Sequence, residues 1–176
     1  EYPVERLYRD NRLNHIHEGT WGIQGIDILG RKVRMHNGAA VKILREEMQI
    51  TIDLAAAHDD LAIFCQQLNE YLTLIEETII AVERAKDPSL ALANATVFLD
   101  AMGHLVIAWM WLKQAVAALD GKHKGNTADD AFYDGKIAAM QFFFRYELPK
   151  IRPNLALVGD LDSTCYDLTA DQFIGV

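Results

Sequence analysis

The sequence predicts an all-α protein, and three observations lead to this fold class. Apolar residues recur at intervals of three and four along most of the chain, which is the period of an amphipathic helix. No run alternates apolar and polar residues with the period of two that is typical of a strand. The breaks between the apolar runs are short and contain Gly, Pro, Asn or Asp. With 176 residues, 51% of them hydrophobic, the chain can bury a sizeable core and is most simply one domain with a short appendage.

The first two helices are short. Pro3 suits a first helical turn, and Val4, Leu7 and Tyr8 share one face of a helix that extends to about Ile16. Thr20 can cap a second helix, whose apolar residues are Ile23, Ile26, Leu29 and Val33. This helix is expected to end near His36, because the following Asn37 and Gly38 favour the left-handed conformation at a helix end. The Asn-Gly pair is the clearest boundary in the chain.

Two amphipathic helices follow this boundary. The apolar stripe of the first consists of Val41, Leu44, Met48, Ile52 and Ala55. Asp59 or Asp60 can cap the second, whose stripe is Phe64, Leu68, Leu72, Ile75, Ile79 and Val82. We expect the second helix to end at Lys86, because Asp87 and Pro88 force a turn and Asp87 or Ser89 starts the next helix.

Two further long helices complete the predicted fold. One runs from about Leu90 to Leu119, and a loop over residues 120–126 separates it from another that Thr127 caps and that ends by Pro149 or Pro153. Four long helices with short connections predict an antiparallel four-helix bundle. The predicted division of the chain is 1–37, then the bundle over 38–154, then a tail over 155–176 that is irregular apart from one short helical turn.

Charge and composition exclude several classes of protein. A formal net charge of -8 argues against nucleic acid as a partner, since such proteins need a basic face. The basic residues cluster at Arg31, Lys32 and Arg34 and at Lys122 and Lys124, positions typical of helix ends and solvated loops. The apolar run 105–112 is well short of the about 20 residues that span a membrane, so no transmembrane segment is expected.

The cysteines and histidines do not predict a metal site. Cys65 and Cys165 match no metal-ligand spacing and indicate a reducing compartment. We expect the bacterial cytoplasm, or the mitochondrial matrix in a eukaryote. His104, four residues after Asp100 on an apolar helix, is more typical of a packed histidine than of a catalytic one. A di-iron bundle requires Glu-x-x-His on two helices, and the sequence has none.

The densest group of reactive side chains is His15, His17 and Glu18, placed between the first two helices. Two histidines two positions apart do not share a helix face, so a metal site is weakly supported. Glu18 can simply interact with the N-terminal dipole of the second helix. It can also be a general base, whose pKa rises when substrate and cofactor cover it. Composition and spacing leave these alternatives open.

Several motifs in this region resemble the end of the acyl-CoA dehydrogenase family. They are Glu1-Tyr2-Pro3-Val4-Glu5-Arg6, Arg9-Asp10, Ile16-His17-Glu18-Gly19-Thr20 and Ile23-Gln24. The resemblance covers residues 1–33, and the elements occur in the family's order and spacing. After Val33 the chain continues for well over a hundred residues, which is similar to the extended members that act on 3-methylthiopropionyl-CoA and carry an added helical domain. Ala131-Phe132-Tyr133, Lys136 and Leu148-Pro149 are similar to positions in that domain.

This resemblance implies a reaction and a set of site residues. Glu18 is implied to be the catalytic base that removes the α proton of an acyl-CoA thioester while the β hydrogen leaves as hydride to FAD, giving a trans-2-enoyl-CoA. Gly19 is implied to lie against the substrate, and Thr20, Trp21 and Gly22 to line the FAD. His17 departs from the family's usual tyrosine, and Trp21 and Gly22 replace small or polar residues.

The resemblance also implies binding partners and an activity that depends on the rest of the protein. It implies an acyl-CoA substrate, an electron-transfer flavoprotein or another electron acceptor, and a homo-oligomer. The family's N-terminal helical and middle β domains hold most of the flavin and substrate, so we expect this chain alone to be inactive. The alternative is a non-catalytic helical module for oligomerisation or interaction.

Overall fold

The computed structural model describes residues 4–16, 20–123 and 129–174, and all regular secondary structure within these ranges is helical. The predicted all-α fold is therefore confirmed. Glu18 and Gly19 lie outside the described residues, as do His17, Lys124 and Thr127. The helices are α1 Val4–Ile16, α2 Thr20–Ile26, α3 Met35–Ala55, α4 Ala62–Glu83, α5 Pro88–Ala91, α6 Ala95–His123, α7 Asp130–Phe142, α8 Ile151–Gly159 and α9 Asp171–Ile174.

Four helical segments form the predicted antiparallel bundle. These segments are α3, α4, α6 and the continuous run from α7 to α8, which is joined by a π-helical turn at Phe143–Glu147 and a 3-10 turn at Leu148–Lys150. α3 packs on α4 and α6, α4 packs on α8, and α6 packs on both α7 and α8. α6 therefore lies at the centre of the contacts.

The buried face of α6 follows a strict seven-residue repeat. Its fully buried residues are Phe98, Ala101, Leu105, Ala108, Leu112 and Ala115, so large and small side chains alternate at intervals of three and four. The alanines let neighbouring helices approach closely while the large residues fill the space between them. Residues 88–122 are long and apolar enough to cross a membrane by length and composition alone, and 28% of their most apolar stretch is buried in the structure; one such helix is weak evidence for a membrane span.

The predicted apolar stripes of α3 and α4 are confirmed. All six residues predicted for the α4 stripe are buried. In α3, Met48 and Ala55 are buried, and Val41, Leu44 and Ile52 are partly buried against the same core. The period of 3.6 residues was thus sufficient to identify the inward faces of both helices.

The prediction that the last helix ends at Pro149 or Pro153 is wrong. The helical path continues to Gly159, five residues beyond the predicted boundary at 154, and buries Leu155 and Val158. Pro149 is the second residue of a short 3-10 turn and Pro153 lies in the first turn of α8, where a missing N–H breaks no hydrogen bond. The predicted short helical turn in the tail is α9.

Other helix ends also differ from the predictions. Asp59 and Asp60 do not cap α4 with their side chains, because they form a 3-10 turn that precedes it. The predicted helix from Leu90 is interrupted at residues 92–94 before α6 begins. α6 then continues through Gly121 to His123, since Gly121 leaves room for the Tyr133 ring of α7. The cap predicted at Asp87 is confirmed, as its carboxylate accepts a 2.8 Å hydrogen bond from the Ser89 N–H.

Substitution of Trp109 is expected to test the contact between α6 and α3. Trp109 Nε1 donates a 2.7 Å hydrogen bond to Oγ1 of the buried Thr51. Trp109→Phe should lower the free energy of unfolding by about 1–2 kcal/mol, because the buried hydroxyl loses its donor. Urea denaturation of this variant should be compared with Trp111→Phe, whose ring contacts Lys136 and donates no hydrogen bond within the described residues. Equal losses in the two variants would contradict the hydrogen-bond account.

Candidate functional site

α2 is held tightly against the start of α6. Gly25 is buried, and a Cβ atom at this position would lie 2.8 Å from the backbone C and O atoms of Ala95. Beyond α2, Leu29 and Val33 are 0% and 5% exposed and belong to the same core as the bundle. The end of the segment that carries the family motifs therefore shares its core with the helices that follow, whereas the described side chains of α1 are exposed.

A groove of about 420 Å³ lies at the junction of α2, α6 and α8. Its lining residues are Trp21 and Gly22 of α2, Thr96, Val97 and Asp100 of α6, and Asn154 of α8. The lining combines an aromatic ring with hydroxyl, carboxylate and amide groups. Such a surface can stack on a flat ring and hydrogen-bond to its edge.

Of the three residues predicted to line a flavin, Trp21 and Gly22 lie on this groove, and Thr20 precedes them at the start of α2. Thr20 is the first residue of α2, and its Oγ1 accepts a 3.1 Å hydrogen bond from Gln24 Nε2. Trp21 is 62% exposed, and a Cβ atom at Gly22 would meet nothing within 4 Å. Open space at Gly22 beside an exposed aromatic ring fits the approach of a planar group such as the flavin or adenine ring of FAD.

The predicted catalytic and substrate-binding residues precede this helix. Gly19 and Glu18 lie one and two positions before Thr20 in the sequence, outside the described residues. The metal alternative for His15 and His17 depends on His17 and on a His15 side chain that are likewise not described. Within the described ranges, no group of three or more His, Cys, Asp or Glu side chains could hold a metal ion.

Three residues of the basic clusters, Arg31, Arg34 and Lys122, lie beside acidic side chains. Arg31 donates a hydrogen bond to Asp27 that lowers the pKa of this carboxyl, and Lys122 bonds Asp134, which raises the pKa of the Lys122 ammonium. Arg34 lies 3.9 Å from Glu83. These contacts agree with the prediction that the clusters are helix ends and solvated surface.

His104 is a packed residue whose polar partner is Asp100, four residues earlier on α6. Nδ1 of His104 lies 2.9 Å from the backbone oxygen of Asp100 and 3.6 Å from its carboxylate. The ring also packs at 6.1 Å from that of Phe143. The backbone contact is a consequence of the four-residue spacing along α6, and it leaves the Asp100 carboxylate on the wall of the groove.

A second groove of about 500 Å³ lies beside the three consecutive left-handed residues His36, Asn37 and Gly38. Its charged side chains include Glu83, which faces Arg34, and Glu76, which accepts hydrogen bonds of 2.6 and 2.7 Å from Arg45. These acidic groups already have cationic partners, so the groove has less capacity to select a ligand.

Sequence reasoning did not identify Thr96, Asn154 or Gly25 as parts of the site. Thr96 and Asn154 are separated from Trp21 by 75 and 133 positions, and only the packing of α6 and α8 brings them to the groove. Gly25 carries no side chain and so adds nothing to an apolar pattern. The available signal was the presence of two glycines, Gly22 and Gly25, within a predicted helix where glycine is costly.

Comparison with known proteins agrees with these observations. A protein family described as acetyl-CoA dehydrogenase C-terminal like matches residues 44–169. The chain is similar to a broad-specificity linear acyl-CoA dehydrogenase of Mycobacterium tuberculosis, with 27% identity over 98% of the chain, and to a butyryl-CoA dehydrogenase of Syntrophomonas wolfei, with 29% identity over 99%. It is also similar to a 3-methylmercaptopropionyl-CoA dehydrogenase of Ruegeria pomeroyi, with 31% identity over 81% of the chain.

The chain spans only part of each relative. It covers 30% of the Mycobacterium protein, 29% of the Syntrophomonas protein and 24% of the Ruegeria protein. Two of the three alignments include nearly the whole chain, and therefore both the motif-bearing segment and the bundle.

Proposed function

Because the chain belongs to the acetyl-CoA dehydrogenase C-terminal-like family, we propose that it acts as the C-terminal part of a flavin-dependent acyl-CoA dehydrogenase. The complete protein would oxidise an acyl-CoA thioester to a trans-2-enoyl-CoA. The observation that carries this proposal is the position of Trp21 and Gly22 on an open groove, shortly after the Glu18-Gly19 pair in the sequence.

Glu18 is the proposed base for the α proton of the thioester. Such a proton is weakly acidic, so its removal requires a carboxylate of raised basicity and hydrogen-bond donors at the thioester oxygen. Covering Glu18 with substrate would desolvate its carboxylate and raise its pKa toward neutrality. The backbone N–H of Glu18 is a proposed donor to the oxygen on which negative charge develops, and Gly19 would let the substrate approach closely.

Thr20, Trp21 and Gly22 are the residues proposed to hold FAD. When bound, FAD supplies the acceptor for the hydride that leaves the β carbon. The exposed Trp21 ring offers a flat surface, the Thr20 hydroxyl offers a hydrogen-bonding group, and Gly22 leaves room for close contact. These residues would orient the ring system and exclude water from the reacting carbons.

The remaining proposals concern the complete protein. It would use an acyl-CoA substrate and pass electrons to an electron-transfer flavoprotein or another acceptor, in the bacterial cytoplasm or the mitochondrial matrix, as a homo-oligomer. This chain alone is proposed to be inactive, because the groove is open and only two residues of the proposed flavin site, Trp21 and Gly22, lie on it.

The absorption spectrum of the purified complete protein tests this function. Bleaching of the oxidised-flavin band by one member of a panel of acyl-CoA thioesters is expected, and that member identifies the substrate class. A protein without flavin, or with flavin that no thioester reduces, would overturn the proposal.

Substitution of Gly22 by alanine tests whether FAD contacts this position, because the change should not disturb the fold. The described chain has room for a Cβ at this position, and alanine favours a helix over glycine by about 1 kcal/mol, so Gly22→Ala should not destabilise the fold. If FAD approaches Gly22 closely, the same variant should bind FAD about 10-fold or more weakly, as measured by flavin fluorescence on titration of the apoprotein. Gly135→Ala, also without neighbours within 4 Å, is the matched control on α7. Unchanged FAD affinity in Gly22→Ala would remove this residue from the flavin site.

A second candidate function is an interaction module. It is favoured by an exposed stripe on α3 in which Ile43, Ile50 and Leu54 are 58%, 55% and 60% exposed. Intervals of seven and four place these side chains on one helix face, as expected for contact with another subunit. Deletion of the chain after Asn37 in the complete protein distinguishes this candidate from the catalytic one.

A further inference from the structure

We propose that the polar side chains of the groove beside Trp21 bind the carbonyl-bearing edge of the flavin ring, and that the Asp100 carboxylate lowers the reduction potential of the flavin. This inference rests on the proposed function, because it takes FAD as the ligand of the groove. It gives residues of the bundle helices α6 and α8 a direct role in the flavin chemistry.

The polar residues of the groove come from two helices of the bundle. Thr96 and Asp100 are four positions apart on α6 and therefore share one face of this helix. Asn154 lies on the same groove but belongs to α8. Both helices are fixed in the core by buried neighbours of these residues, namely Phe98, Ala101, Ile151 and Leu155. The polar groups are therefore held in place before a ligand binds.

The aromatic wall of the groove is held against this polar wall. A Cβ atom at Gly25 would lie 2.8 Å from backbone atoms of Ala95, so α2 lies directly on the start of α6. Trp21 is one helical turn before Gly25, and its side chain remains exposed. An exposed ring beside several polar groups suits a flat ligand that has an apolar face and a hydrogen-bonding edge.

The flavin ring has such an edge, in which an N–H lies between two carbonyl groups. An ionised carboxylate only accepts hydrogen bonds, so Asp100 matches the N–H. The hydroxyl of Thr96 and the amide of Asn154 can donate, so they match the two carbonyl oxygens. An adenine edge offers one amino donor beside one acceptor nitrogen and would use only one of these two donors. The negative charge of Asp100 also disfavours the diphosphate of FAD in the groove.

The Asp100 carboxylate has capacity left for a ligand. Within the described residues its ion-pair partner is His104, whose Nδ1 lies 3.6 Å from the carboxylate. This nitrogen is closer to the backbone oxygen of Asp100, at 2.9 Å. Because the shorter contact goes to the backbone, the carboxylate keeps lone pairs for a ring N–H on the groove side.

A carboxylate in this position affects the oxidised and the reduced flavin differently. A hydride brings two electrons and one proton, so the reduced ring carries one more negative charge than the oxidised ring. The negative charge of Asp100 disfavours this added charge and therefore lowers the reduction potential. A flavin of lower potential is, once reduced, a stronger reductant toward its electron acceptor.

Two substitutions that change charge but hardly change shape test the proposal in the complete, flavin-loaded protein. Asp100→Asn removes a negative charge, so the equilibrium between oxidised and reduced flavin should shift about 10-fold toward the reduced form. For a two-electron couple this shift raises the potential by about 30 mV. Asn154→Asp adds a negative charge and should shift the equilibrium by a similar factor in the opposite direction. A purely structural disturbance would not change sign between the two variants.

Asp120→Asn is the matched control. Asp120 lies 20 residues after Asp100 on α6, about 30 Å along the helix axis. It also lies beside a histidine, with His58 Nε2 at 3.4 Å from its carboxylate. Dissolved salt screens a charge at this distance, so this variant should have the wild-type potential. Spectroscopic titration with dithionite, against a dye of known potential, measures all three variants without thioester turnover.

The possible results separate the inference from the proposed function. An oxidised-to-reduced equilibrium within about twofold of wild type in both groove variants would overturn the inference and leave the proposed function standing. If Asp100→Asn does not fold or retain flavin, Asn154→Asp decides alone, and a wild-type equilibrium in it would overturn the inference. If the proposed function is wrong, the wild-type protein lacks flavin, or its flavin is reduced by dithionite but by no thioester.

Discussion

Replacing Glu18 with glutamine in the complete protein is expected to lower kcat by about 100- to 10 000-fold, the range attributed to general acid–base catalysis. The amide has nearly the shape of the carboxylate but cannot accept the α proton. Thioester binding should change little, because the substitution removes no apolar surface and retains the backbone N–H. Flavin content should be normal.

Anaerobic stopped-flow absorption of the flavin band measures this effect. In Glu18→Gln the band should persist after addition of a thioester that bleaches the wild-type protein within seconds. Glu46→Gln, an exposed position on α3, is the matched control and should bleach at the wild-type rate. Bleaching of Glu18→Gln within about 10-fold of the wild-type rate would show that another group removes the proton.

Deleting the chain after Asn37 is expected to abolish flavin binding and to prevent the motif-bearing segment from folding. Leu29 is fully buried and Val33 nearly so, against residues that this deletion removes. Burial of each such side chain contributes about 1.5–3 kcal/mol to stability, and the deletion removes this contribution. The deletion also removes the Ala95 backbone against which Gly25 packs. A helix as short as α2 does not persist without tertiary contacts.

Flavin content, circular dichroism and sedimentation of the deleted protein measure this outcome together. A deletion after Asp162 is the control, because it removes only tail residues outside the core and leaves the backbone oxygen bonded to Asn94. If the deletion after Asn37 retains flavin and turnover and changes only the oligomeric state, the bundle is an interaction module. If it retains both flavin and oligomeric state and alters only acyl preference, the interaction alternative is wrong.

The inward face of a helix was predictable from the sequence where all of its large apolar residues lie on one face. Every residue predicted for the α4 stripe is buried, because six large apolar side chains at intervals of three and four leave a single face to bury. The cap at Asp87 was predictable for a similar reason, since Asp before Pro at a helix start is a local signal.

Helix ends were less predictable because tertiary contacts override local signals. Gly121 was expected in a loop, but the helix continues through it where the Tyr133 ring packs. Pro153 was expected to end a helix, but it lies in the first turn of a new one whose Leu155 and Val158 complete the core. The Tyr133 ring and the bundle core are formed by residues far along the chain, so the few residues around a helix end do not specify where that helix stops.

For the candidate site, the residues adjacent in sequence were accessible to prediction and the distant ones were not. Glu18, Gly19, Thr20, Trp21 and Gly22 follow one another, so a contiguous motif and the family resemblance identified them together, and their roles remain predictions. Thr96 and Asn154 line the groove with Trp21 and Gly22 because the folded chain brings parts of α6 and α8 beside α2. Gly25 matters because 2.8 Å separates its Cβ position from another helix's backbone, and a pairwise distance of this kind exists only after the helices pack.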